Sequence, residues 1–76
     1  MLNGGDLHYN AAFQETELKF QNITKALDEK DSGNAAYKSK DFATAHLHYD
    51  KAIQLDPNNM VFYTNKSAVL FEEVLL

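Results

Sequence analysis

The side chains able to do chemistry are few in this 76-residue sequence, and they are badly placed for it. His46 and His48 stand two residues apart and so on different faces of a helix, whereas a helical pair of metal ligands needs i,i+4 spacing. Asp50 is four residues from His46, but one imidazole and one carboxylate rarely hold a metal alone. Both histidines are therefore expected at the surface. The paired carboxylates Glu15/Glu17 and Glu72/Glu73 are of the kind that cover solvated helix faces. No nucleophile motif and no glycine-rich phosphate loop is present. Cysteine is absent, which excludes disulfides and thiolate metal sites. No enzyme activity, cofactor or metal is expected.

The spacing of small and aromatic residues is more informative. Phe42, Ala45, Tyr49 and Ala52 recur at 3-4-3 intervals and define the buried stripe of a helix over about 42–55. Asp41 is its expected N-cap, since a carboxylate can accept from the free amides of the first turn. Upstream, a helix over about 25–39 carries the small residues Gly33 and Ala36. Facing Ala45 and Ala52, they would let two antiparallel helices approach closely while Phe42 and Tyr49 fill the wider gaps. Pro57 stops the second helix. Asn58 or Asn59 can cap a third, over 60–73. Ser67 and Ala68 stand where Gly33 and Asn34 stand 34 residues earlier, so one period of a repeat is visible.

Residues 1–6 have no pattern and are expected to be disordered. From Leu7 to Ser32 there is neither glycine nor proline. Tyr9, Phe13, Thr16, Phe20, Ile23 and Leu27 follow a 4-3-4-3-4 spacing that places them on one stripe. Such a stripe either covers a neighbouring hydrophobic surface or forms a coiled-coil-like self-association seam. Extended by three and then four residues, it reaches Lys30 and Asn34. A break near Asn22 to Thr24 is the competing arrangement and would let the segment fold back.

Length and charge bound the rest. A chain of this size buries only roughly 60–65% of its unfolded surface and makes one small domain at most. The formal charge is −4 and all seven cations are lysines, a balance that argues against a nucleic-acid partner. No apolar run approaches the roughly 20 residues of a membrane span, and the N-terminus lacks a basic region followed by an apolar stretch. A cytoplasmic protein with no membrane partner is expected.

Glu29 to Tyr37, Lys40-Asp41-Phe42, His48 to Ala52, Asp56-Pro57 and Tyr63-Thr64-Asn65 resemble the co-chaperone branch of the tetratricopeptide repeat family, in particular its heat-shock-organising members. The resemblance covers roughly residues 26–73 and rests on a unit of about 34 residues. It implies an all-α fold with a repeat over 26–59 and, at 60–76, the first helix of an incomplete second repeat; the N-terminal amphipathic helix expected over 7–25 lies outside the resemblance and rests on the stripe alone. The chain is then truncated relative to a three-repeat domain.

The resemblance also implies a function. Domains of this branch grip the carboxylates of an acidic heat-shock chaperone C-terminus ending Glu-Glu-Val-Asp. By position, the grip falls on Lys30, Asn34 and Asn65, with Tyr37 lining the same groove. Lys30 and Asn34 share a helical face at i,i+4 and can reach one anion, lysine supplying charge and the amide a directed donor. Two further cations that the family places on its fifth helix have no counterpart here. The expectation is a partial clamp with weak peptide affinity. The alternative is a repeat protein that mainly self-associates, as a homodimer.

Overall fold

In the computed structural model the backbone is described from Gly4 and the side chains from Gln14, both to Leu76. Three helices follow one another: α1 (Gly4–Lys38), α2 (Phe42–Leu55) and α3 (Met60–Leu75). The architecture is all-α, with α2 and α3 antiparallel to their predecessors in a tetratricopeptide-type hairpin and third helix.

Local signals set the helix ends. The Asp41 side chain accepts from the Thr44 amide, as expected of the N-cap, and also from the Thr44 hydroxyl. Both hydrogen bonds, the hydroxyl one most, hold the Asp41 carboxyl below the usual carboxylate range. Asn59 rather than Asn58 caps α3, its Oδ1 accepting from the Val61 amide at 2.9 Å. α1 closes with the Asp41 amide bonded to the Ala36 carbonyl and the Lys40 amide to the Tyr37 carbonyl, each at 2.9 Å. This paired closure places the intervening residue in the left-handed region that glycine favours. Here that residue is Lys40, with φ 63°.

α2 is shared by two small cores. Ala26, Ala52 and Phe62 form one, with Ile53 and Leu55 packed against it. Ala45, Tyr49 and Val69 form the other, flanked by Ala36, Tyr37 and Phe42. The small-residue stripe works somewhat differently from the expectation. Gly33 opposes the Tyr49 ring rather than another small side chain, and a Cβ there would lie 2.5 Å from Tyr49 Cε1.

No break interrupts α1 near Asn22 to Thr24; one helix crosses the expected boundary between 7–25 and 26–59. Gly4 to Asp6, expected to fray, stand inside the helix, while residues 1–3 lie outside the described residues. The molecule is accordingly long, 66 × 17 × 13 Å. On α3, Val61 and Leu70 are exposed, but Val69 is fully buried.

Candidate functional site

α1 and α3 stand side by side on α2, and the expected site residues lie along the face they share. The structure brings two of them together: Asn65 Nδ2 donates to Asn34 Oδ1 at 3.4 Å. Tyr49, on α2 behind them, donates its hydroxyl to the same Oδ1. Two donors on one carbonyl oxygen fix which way the Asn34 amide points. Its NH₂ group makes no hydrogen bond among the described residues and so keeps its donors.

Lys30 lies one helical turn before Asn34. Its ammonium pairs with Asp31 at 3.5 Å, and among the described contacts it is bonded to neither asparagine. The side chain is about one-quarter exposed. An i,i+1 carboxylate is a loose partner for an ammonium, so Lys30 keeps donors for an incoming anion.

Tyr37 is half-buried one turn after Asn34, its ring tilted 44° against Phe42 at a centroid distance of 6.2 Å. Lys40 Nζ stands 5.7 Å from the Tyr37 ring centroid and 2.5 Å from Glu72 Oε1. The Lys40–Glu72 pair ties the C-terminal end of α1 to α3 and bounds the face on that side. The Glu72 carboxylate is held below its usual range, first by the Lys40 hydrogen bond and then by that of the Tyr37 hydroxyl. Conversely, Glu72 raises both Tyr37 and Lys40, chiefly through those same hydrogen bonds. The lysine next to Asn65 is already engaged, Lys66 Nζ lying 2.6 Å from Asp50 Oδ1.

Three features escaped the sequence reading. Tyr49 is not only packing, because its hydroxyl orients Asn34; the signal is a tyrosine where phenylalanine would fill the same space. The histidines are not free surface groups. His48 Nδ1 bonds Glu29 Oε2 at 2.6 Å and His46 Nε2 bonds Glu73 Oε1, tying α2 to both neighbours. Glu72 and Glu73 are likewise tertiary partners rather than a solvated pair, and nothing local in the sequence marks them. Among the described residues no group of three or more histidine, aspartate or glutamate side chains is placed to hold a metal. No described helix is long and apolar enough to cross a membrane.

Comparison with known proteins places the hairpin. The family profile described as Tetratricopeptide repeat matches residues 31–59. Stress-induced-phosphoprotein 1 of Caenorhabditis elegans is 71% identical over 48 residues, which are 63% of this chain and 15% of that protein. Hsp70-Hsp90 organizing protein of Triticum aestivum is 53% identical over 47 residues, 62% of this chain and 8% of that protein. Small glutamine-rich tetratricopeptide repeat-containing protein beta of Rattus norvegicus is 44% identical over 48 residues, 63% of this chain and 16% of that protein. The chain thus spans less than one-fifth of the length of these relatives. No solved structure gives a significant match. Residues 31–59 thus match the tetratricopeptide repeat family, and the roughly 48 residues aligned are similar to a part of the Hsp70-Hsp90 organizing proteins.

Proposed function

We infer that this chain is a protein-interaction module of the chaperone-adaptor kind, whose α1–α3 face takes the acidic C-terminal tail of a heat-shock chaperone. The observation that carries the reading is the fixed amide of Asn34. With its oxygen occupied by Tyr49 and Asn65, it presents only N–H donors. An ammonium one turn away and preset amide donors make a carboxylate-sized receptor without any rearrangement of the backbone. Lys30, Asn34 and Asn65 form part of a carboxylate clamp, and Tyr37 lines the groove beyond them. Only one cation of this set is available, so the affinity is weak.

Calorimetric titration with a peptide ending Glu-Glu-Val-Asp tests the reading. Weak binding is expected, reduced about 10–100-fold by Lys30→Ala if the lost charge-assisted bond is worth about 1.5–3 kcal/mol. Amidating the peptide's C-terminus should have a comparable effect. Binding that survives both changes would refute the clamp.

A further inference from the structure

The outward face of α3 carries no charge. All three charged residues of the helix turn inward: Lys66 to Asp50 and Glu73 to His46 on α2, and Glu72 to Lys40 just past α1. Phe62 and Val69 are buried on that same inner side, and Asn65 reaches Asn34. What remains outward is a line through Met60, Tyr63, Ser67, Leu70 and Val74, with Phe71 beside it. Val74 is 84%, Met60 72% and Phe71 69% exposed.

This face is ready to be covered. Two of its hydroxyls are already bonded within the chain: that of Tyr63 donates to the Pro57 carbonyl at 3.0 Å, and that of Thr64 to the Met60 carbonyl at 3.1 Å. Burying either residue therefore leaves no donor unpaired, which is the main cost of covering a polar side chain. A whole aromatic side chain carries about 150–250 Å² and an aliphatic one somewhat less, so the exposed parts of this line and its flanks sum to on the order of 600 Å². Two copies then reach the roughly 1,200 Å² at which standard interfaces begin, and one copy alone stands at the upper limit of what soluble monomers expose.

The pattern selects a second copy rather than an unlike partner. A face without charge has nothing to steer or choose a partner of complementary charge. Tyr63, Ser67, Leu70 and Val74 are spaced 4-3-4, which reads the same in both directions. An antiparallel copy sets Tyr63 opposite Val74 and Ser67 opposite Leu70, a larger side chain over a smaller one in every layer. A parallel copy instead sets leucine against leucine and leaves a gap between two serines. Ser67 also stands 34 residues after Gly33, the small residue against which the Tyr49 ring packs. We propose that the chain self-associates by pairing α3 antiparallel with α3 of a second copy, along the line from Met60 to Val74. The residues that hold α3 on α2 and α1 all lie on its inner side, so the second copy meets neither helix and the proposed clamp face stays open.

Sedimentation equilibrium of the full chain over a concentration series tests this. A dimer is expected that Leu70→Asp weakens by about 100-fold or more while the helical circular dichroism stays that of the wild type. Phe20→Asp, on the exposed part of α1, and Lys30→Ala, in the proposed clamp, should leave the dimer intact. Because the sequence has no cysteine, cross-linking gives an independent measurement. Antiparallel pairing sets position 60 of one copy within one turn of position 74 of the other, whereas the two copies of position 74 lie about 16 Å apart along the helices. A short bis-maleimide should therefore join Met60→Cys chains to Val74→Cys chains in a mixture, and neither kind to itself. A monomer at every concentration, a dimer lost with Phe20→Asp but not with Leu70→Asp, no cross-link in the mixture, or Val74→Cys chains joined to one another would overturn the proposal.

Discussion

Gly33 and Tyr49 set the distance between α1 and α2: the phenol ring lies against the glycine so closely that a Cβ would meet Cε1 at 2.5 Å and Cδ1 at 2.7 Å. The ring cannot easily swing aside, since Tyr49 is 1% exposed and its hydroxyl is bonded to Asn34. Gly33→Ala is therefore expected to destabilise. Overpacking costs about 1–3 kcal/mol, against about 0.5–1 kcal/mol gained by removing glycine from a helix interior. Thermal unfolding should show a lowered midpoint; a raised one would mean that the helices can separate freely.

Ala45 makes the same point from the other helix. It is fully buried beside Tyr49 and Val69, where α2 meets α3. Ala45→Leu adds three carbons to a filled site and should cost about 1–3 kcal/mol. An unchanged urea midpoint would show that α3 docks loosely there.

Glu72 makes a small contribution to the pH dependence of stability at both ends of the scale. Its folded pKa is lowered by Lys40 and Tyr37, so its contribution is present above the ordinary carboxylate range and is lost as pH falls through the lowered value. Lys40 and Tyr37 are raised by Glu72, so their contributions are present below their ordinary values of 10.5 and 10.0 and are lost as pH rises through the raised ones. Lys40 is largely exposed, which keeps the effect small. In a stability–pH profile, Glu72→Gln should flatten both the acid and the alkaline limb. The acid-limb share of Asp41, which depends on Thr44 alone, should remain.

The hairpin was legible because its signals are local and short-range. Phe42, Ala45, Tyr49 and Ala52 mark one face of one helix, Asp41 and Asn59 cap, and Pro57 stops. The unbroken α1 was harder to foresee, since Asn22 and Thr24 are competent caps when nothing else decides. Helix already propagating from both sides makes a break there costly, and the Thr24 hydroxyl bonds back to the Phe20 carbonyl instead of capping a new helix. The polar contacts between helices were not legible at all. Lys40 and Glu72 are 32 residues apart, His46 and Glu73 27 apart, and only the stacking of α3 on the hairpin makes them neighbours. For the proposed clamp, Asn34 and Asn65 were named from the resemblance, but the Tyr49 hydroxyl that bonds Asn34 was not foreseen.

That group gives the last prediction. Tyr49 sits on α2, behind the proposed clamp and out of reach of any peptide on the α1–α3 face. Tyr49→Phe keeps the ring that packs on Gly33 and removes only the hydroxyl that donates to Asn34. Without that donor the Asn34 amide can turn over and offer its oxygen to the ligand as readily as its NH₂. Peptide affinity should then fall about 2–10-fold, the equivalent of a net hydrogen bond of about 0.5–1.5 kcal/mol. Nuclear magnetic resonance titration reads this directly, because the Asn34 side-chain amide protons should shift on peptide addition in the wild type and less so in Tyr49→Phe. Loss of the whole fold would show instead as collapse of the amide dispersion, which separates an orienting role from a packing one. Equal affinity and equal shifts in the two proteins would mean that Asn65 alone holds the amide in place.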